Sequence, residues 1–357
     1  MAYRQPVGPG VLGDMMGAVK LPVMMVFGCL LMLSLSGCDF FSKEKTQTRT
    51  IFDQLGRKVT IPEQPKKIAA LHHFGGKIVH ALNMRHLLVE KSIYGLEAKA
   101  LNRIDPAFAA LPSMIEGHDY NVEGIVSLNP ELIFAYASMD LSEVQQFENA
   151  GIPVVAVKGE TLEESFDAIR LISDVLDCKD NGEQYIKDCR DLIDMTASRL
   201  KGRVEKPIKV MFAGPRSIYS VATGNMLQNH ILNLSGAVNV ARELTGFWAD
   251  VSPEQIATWN PDVIFLGSYL DVYGKDKILE NPQFQTVNAI KNKKIYSFPS
   301  NIGWWDYPAP HCVLGVVWSA KTLYPELFKD IDMMTVANEF YKRHIGHTFE
   351  EMGGRLD

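Results

Sequence analysis

Cysteine is scarce in this chain: five residues in 357, no two of them in CxxC spacing, so the pattern of a structural zinc site is missing. Basic charge is scarce as well. Lysine and arginine number 36 against 42 aspartates and glutamates, for a net charge of -6, and no stretch gathers the basic stripe of a nucleic-acid binder. There is no GxSxG nucleophile elbow, no HExxH zinc helix and no Walker A loop. The nearest approach to the last, Gly75-Gly76-Lys77, lacks the upstream glycine and the following hydroxyl residue. A secreted hydrolase or metalloenzyme therefore ranks well behind a role without catalysis. The composition is otherwise ordinary, 46% apolar and 22% charged, with core-forming material for two domains at this length.

The one long apolar run lies near the start, in "KLPVMMVFGCLLMLSLSGCDFFSKEK". A lysine, an apolar stretch to Leu35 and small residues ending at Cys38 read as a secretory signal, too short before polar sequence for a transmembrane helix. Leu35-Ser36-Gly37-Cys38 looks like a bacterial lipoprotein box, which makes Cys38 the lipidated first residue of the mature chain. Such signals have short basic regions, so Met15 or Met16 is an alternative start to Met1. Asp39 resembles the signal that retains lipoproteins at the inner membrane, on its periplasmic face. In an organism without an outer membrane the same anchor gives a cell-surface lipoprotein. Of the remaining cysteines, Cys178 and Cys189 could form a bridge in an oxidising compartment if "CKDNG" breaks the helix between them. On one continuous helix they stand roughly 16 Å apart, too far to join.

A sentence is written twice. "NVEGIVSLNPELIF" begins at Asn121 and "SPEQIATWNPDVIF" at Ser252, 131 positions on, far too long a period for a solenoid. Each reads as a capped short helix, with Asn121 or Ser252 at the N-cap, ended by Asn-Pro and followed by a buried strand. Ile125 and Ile256 then face the core, with Leu128 and Trp259 one turn on. Glu123 and Glu254 lie about 200° around the helix and point outward, either as complements to the helix dipole or as a two-point dock for a basic partner.

Strand-like runs alternate with helical ones elsewhere, as in α/β units with parallel strands. "RTIFDQLGRKVTIP" predicts a hairpin about Leu55-Gly56-Arg57, and "KKIAAL", "LIFAYAS", "IPVVAV", "IKVMFAG", "DVIFLGS" and "KKIYSFPS" predict core strands. Between Thr161 and about Arg203 the spacing is purely helical. The expected organisation is a signal peptide (1–38), a polar tether (39–50), an amino-terminal α/β lobe (51–160), a helical connector (161–203), a carboxy-terminal α/β lobe (204–325) and a helical end (326–357).

Ligands in open α/β lobes bind beyond the carboxyl ends of the strands. That rule nominates His72 and His73, Tyr136, Arg216 and Tyr219, Tyr269, and the run Trp304-Trp305-Asp306-Tyr307, with Trp248 in a loop before the second motif. Aromatic faces suit a flat or greasy ligand, and an arginine fork suits an anionic one. Adjacent histidines cannot share one strand face, so at most one enters the cleft if the strand persists that far. A bare-metal site built from His72, His73, His118 and an acid is the alternative, without an assured set of three or four ligands.

Lipobox, hairpin, repeated motif, helical middle and "NPQFQTVNAIKNKKIYSFPSNIGWWDYP" together resemble the helical-backbone periplasmic binding proteins of ABC importers for ferric siderophores, haem and cobalamin. The resemblance implies two Rossmann-like α/β lobes joined by a long rigid helix, with the ligand, a metal chelate, held in the cleft between them. It implies a monomer with no intrinsic cofactor, tethered by lipid at Cys38. Glu123 and Glu254 would dock it into basic pockets of an ABC permease, driven by a partner ATPase.

Overall fold

The computed structural model describes residues 47–116, 119–215, 217–267, 278–299 and 301–356. All described elements belong to one compact unit, Thr46–Asp357. An antiparallel hairpin comes first, β1 (Thr48–Phe52) and β2 (Lys58–Pro62), turned by Gly56 at φ 77° where the sequence places the turn. The Asp53 carboxylate accepts from the N–H groups of Leu55, Arg57 and Ala156, which fixes the turn and ties the hairpin to its neighbour.

The next elements are β3 (Ile68–Ala70), α1 (His73–Ala81), α2 (Gly95–Ile104), α3 (Pro106–Ala110), the small ladder β4 (Ile115–Glu116) and β5 (Asp119–Tyr120), α4 (Val122–Ser127), β6 (Leu132–Tyr136), α5 (Leu141–Asn149) and β7 (Val154–Val157). Strands β3, β6 and β7 pair in that order, all parallel. Every residue in them is buried, as near-continuous apolar strands covered on both faces should be.

Helices α6 (Leu162–Val175) and α7 (Lys179–Leu200) fill the strand-free stretch. The break between them falls at Asp177, φ 54°, so "KDNG" opens α7 instead of interrupting it. Cys189 is therefore on the helix that Cys178 caps, about 16 Å along it. Cys178, Cys189 and Cys312 are all thiols. The bridge considered from the sequence is overturned by helix continuity. Helix α7, 22 residues long, buries Gly182, Tyr185, Ile186, Cys189, Thr196 and Leu200 along one stripe.

Then follow β8 (Ile208–Gly214), β9 (Ser217–Val221), α8 (Leu227–Leu234), β10 (Ala237–Asn239), β11 (Ala249–Asp250), α9 (Pro253–Trp259), β12 (Val263–Leu266), α10 (Asn288–Lys291), β13 (Ile295–Ser297), α11 (Val313–Leu323) and α12 (Met333–Ile345). Strands β10, β8, β12 and β13 run parallel, as expected. Strands β9 and β11 add antiparallel pairings on one edge. A connection as short as that from β8 to β9 permits only an antiparallel return. One apolar cluster includes Phe134 and Val155 of the first sheet, Tyr185 of α7, Phe212 and Phe265 of the second sheet, and Trp318 and Tyr341 of the last helices. The helical middle is thus part of the core.

The repeated sentence folds as read. The Asn121 side chain accepts from the Gly124 N–H at 2.8 Å, and Ser252 Oγ accepts from the Gln255 N–H at 3.2 Å. Ile125 and Ile256 are fully buried, Leu128 and Trp259 half-buried, and Glu123 and Glu254 exposed. Each helix stops at an asparagine before proline, Asn129 at φ 51° and Asn260 at φ 46°. The left-handed region is open to asparagine, which ends the helix as the C-cap at Asn260 and as the residue after the Leu128 C-cap at Asn129.

Candidate functional site

Strand β3 ends at Ala70, two residues before the histidine pair. His72 is the N-cap of α1, its Nδ1 accepting from the Phe74 N–H, and His73 is the first helical residue. The face alternation of a strand therefore does not apply, and both rings enter one cluster, their centroids 4.0 Å apart. The His72 ring lies 4.5 Å from that of Tyr136, the last residue of β6. Tyr136 donates its hydroxyl to Glu160 Oε1 at 2.6 Å, and Glu160 stands just beyond β7. Burial raises the Glu160 carboxyl above its ordinary range, against the Tyr136 hydrogen bond that lowers it. Three neighbouring parallel strands thus deliver His72, Tyr136 and Glu160 at their carboxyl ends.

The second sheet contributes from the loop after β13. Gly303 and Trp304 are both left-handed, at φ 85° and 46°. A bulky residue there costs ~1–3 kcal/mol and persists only where the surroundings hold it. This backbone delivers Trp304 and Tyr307 to His73, at ring separations of 5.9 and 4.9 Å. Tyr94, just before α2, closes the group: it shares a hydrogen bond with His73 Nδ1 and lies 6.5 Å from the Trp304 ring. The Lys77 ammonium sits 5.6 Å from the Trp304 ring centroid.

The other nominees divide. Trp305 points away from this cluster: it is fully buried, donates Nε1 to Tyr341 Oη at 3.2 Å and packs on Phe349, so it is a core anchor and not a binding face. Asp306 is also interior, its carboxylate against Gly267 at the end of β12. Tyr219 lies on β9, not in a loop, with its ring on Phe284 and its hydroxyl on Gln283, apart from the histidine cluster. Trp248 is half-buried over Gly214; a Cβ at that glycine would come within 2.2 Å of the indole, so β8 ends in the residue the indole requires. Cys38, His118, Arg216 and Tyr269 lie outside the described residues. Among the described residues, no three histidines, cysteines or acids come together as a metal site.

Sequence reasoning overlooked Lys77, Tyr94, Glu97 and Glu160. Glu160 follows a core strand as His72 does, so the strand-end rule already covered it. Tyr94 follows no strand, and a lysine inside a helix reads as surface.

The cluster thus gathers side chains from beyond the carboxyl ends of parallel strands in both sheets. The family model for periplasmic binding proteins matches residues 68–302. The chain belongs to this family. It is a solute-binding component of an ABC importer, and it carries a ligand without transforming it. It is 29% identical to the molybdate-binding protein MolA of Haemophilus influenzae over 83% of this chain and 90% of that one. The structure of MolA bound to molybdate matches with a TM-score of 0.71 at 26% identity, covering 84% of this chain and 98% of that one. An uncharacterized ABC transporter substrate-binding lipoprotein of Bacillus subtilis, YvrC, is 26% identical over 83% of this chain and 95% of its own length. A vitamin B12-binding protein of Vibrio parahaemolyticus is 22% identical over 72% and 90%.

Proposed function

We propose that this periplasmic binding protein captures a compact anionic ligand, a molybdate-like oxyanion or a small carboxylate chelate of a metal. The observation that carries the reading is the cluster of His72, His73, Tyr94, Tyr136, Trp304 and Tyr307, drawn from both sheets. Imidazole, phenol and indole together offer N–H and O–H donors to oxyanion oxygens. The rings of His73 and Tyr307 already meet at 4.9 Å, so a broad flat ligand needs these contacts to part. Similarity to MolA supports the same class. The larger chelates implied by the sequence resemblance, siderophore, haem and cobalamin, form the second reading. The vitamin B12-binding relative and the 64% exposed Phe247 beside Trp248 favour it.

Around the cluster we place two lobes, 51–160 and 204–325, closing on the ligand. Lipid on Cys38 tethers the chain to the inner membrane. Glu123 and Glu254, each at the second position of a capped helix feeding a core strand, dock it to basic sockets of the permease. Its own backbone N–H and the Ser252 hydroxyl hold the Glu254 carboxyl below its ordinary range, so the dock stays anionic.

The test is a titration of residues 39–357 with sodium molybdate, ferric citrate, cobalamin, haem, and zinc and manganese salts, followed by tryptophan fluorescence. Saturable binding of molybdate or ferric citrate is expected, and loss of it on Trp304→Ala. A response confined to cobalamin or haem moves the function to the second reading; one confined to bare metal overturns both.

A further inference from the structure

Beneath Trp304 lies a buried charged cluster, in a small cavity that it shares with His73 and Tyr94. Lys77 of α1 and Glu97 of α2 form an ion pair at 2.8 Å, each side chain only 4% exposed. Both belong to the part of the chain built on the first sheet. The Lys77 ammonium also donates to the Gly303 carbonyl at 3.1 Å, across to the loop that follows the second sheet. His311 Nε2 meets the same carbonyl at 2.5 Å. Gly303 has no room for a side chain: a Cβ there would fall 2.3 Å from His311 Nε2. The next residue is Trp304, held left-handed.

Two features set this apart from ordinary core packing. A lysine–glutamate pair taken out of water is a poor source of stability, since desolvation offsets most of its attraction. It is better placed to fix a geometry. The geometry it fixes is the strained one, because the carbonyl Lys77 grips belongs to the residue just before the non-glycine left-handed position.

We infer that Lys77, charged and oriented by Glu97, is a positioning residue for ligand binding: it clamps the Gly303 carbonyl and so holds Trp304 over the histidines from the opposite sheet. The inference rests on the reading of that ring cluster as the ligand site. It deepens that reading by naming what couples the two sheets' contributions. Opening the clasp would break the Lys77–Gly303 bond and leave Lys77 paired with Glu97, so the charge is never stranded during the motion.

The test uses residues 39–357 labelled with 5-fluorotryptophan, with the Trp304 resonance identified by its loss in Trp304→Phe. In the ligand-free Lys77→Met/Glu97→Gln variant, which removes both charges together, the Trp304 resonance is expected to shift while those of Trp305 and Trp318 stay. Molybdate, the probe, should bind this variant at least tenfold more weakly, and Trp304→Ala on top of it should add almost nothing, as two changes in one chain of contacts are non-additive. An unmoved Trp304 resonance overturns the clamp, and so does unchanged molybdate affinity beside a shifted resonance. If molybdate fails to bind the parent protein, the functional reading is what fails, and the resonance alone decides the clamp. Should the double variant not fold, Lys77→Arg is expected at the parent position and Lys77→Gln away from it; identical resonances for the two overturn the inference.

Discussion

Two neighbouring tryptophans should fail in opposite ways. Trp305 is fully buried against Phe349 and bonded to Tyr341, so Trp305→Ala removes a large core side chain and leaves a cavity. Such truncations cost ~3–5 kcal/mol. At about 2 °C per kcal/mol for a chain of this size, the thermal midpoint should fall by roughly 6–10 °C. Trp304 is half-buried, and its alanine variant loses ring contacts with His73, Tyr94 and Tyr307 that, at the lower end of ~0.5 kcal/mol each for such wide separations, total about 1.5 kcal/mol, a midpoint change of about 3 °C. Binding should reverse the order: Trp304→Ala weakens ligand affinity at least tenfold, whereas Trp305→Ala, measured below its melting range, changes it little. The left-handed backbone at Trp304 adds a check of sign. Glycine avoids a penalty of ~1–2 kcal/mol that alanine pays there, so Trp304→Gly should melt above Trp304→Ala. Differential scanning calorimetry and titration of the same three variants give all these numbers. Equal melting losses for Trp304→Ala and Trp305→Ala, or an alanine variant at 304 that outlasts the glycine one, would refute the assignment.

Three further outcomes follow from the structure. Glu90 is buried and pushed up to about 8 by that burial, against the Ala70 N–H it accepts. The folded chain then holds a proton that the unfolded chain releases above about pH 4.5, so this group's contribution to stability declines as pH rises through about 8. Glu90→Gln keeps the acceptor and removes the proton; its melting temperature should match the parent at pH 5 and exceed it at pH 9. The thiols should be inert: burial pushes Cys312 up to about 12 and Cys178 up to about 11, so native residues 39–357 should resist iodoacetamide at pH 8 and melt identically with and without reductant. In cells, Glu123→Ala with Glu254→Ala should abolish uptake while affinity in solution stays within twofold; lost affinity would reject the docking role.

The fold was largely legible because its signals are local. Each core strand is a short apolar run, and the Asn-Pro that ends each motif helix is read within one turn. The antiparallel strand Ser217–Val221 was missed since it follows its partner directly, and its residues pass equally for a loop after Gly214-Pro215. The cysteine bridge depended on where a helix breaks. The break falls at Asp177, before both cysteines and not within "CKDNG" between them, and that decided the question.

The site was legible only where a rule of position sufficed. Strand ends named His72, His73, Tyr136, Trp304 and Tyr307, and those five do converge. The same rule could not separate Trp304 from Trp305, because their division turns on two successive left-handed residues, of which only Gly303 advertises itself in sequence. Lys77 lay further out of reach. Its burial is tolerable only because Glu97 neutralises it and because a carbonyl 226 positions away accepts its hydrogen bond, and neither partner is visible from the helix that carries it. Local pattern thus specifies the pieces that bring ligand groups near one another, whereas the contact that holds them together across the two sheets exists only in the folded chain. For that reason the lysine, and not any of the aromatic residues, is where sequence and structure differ most about how this cluster is held.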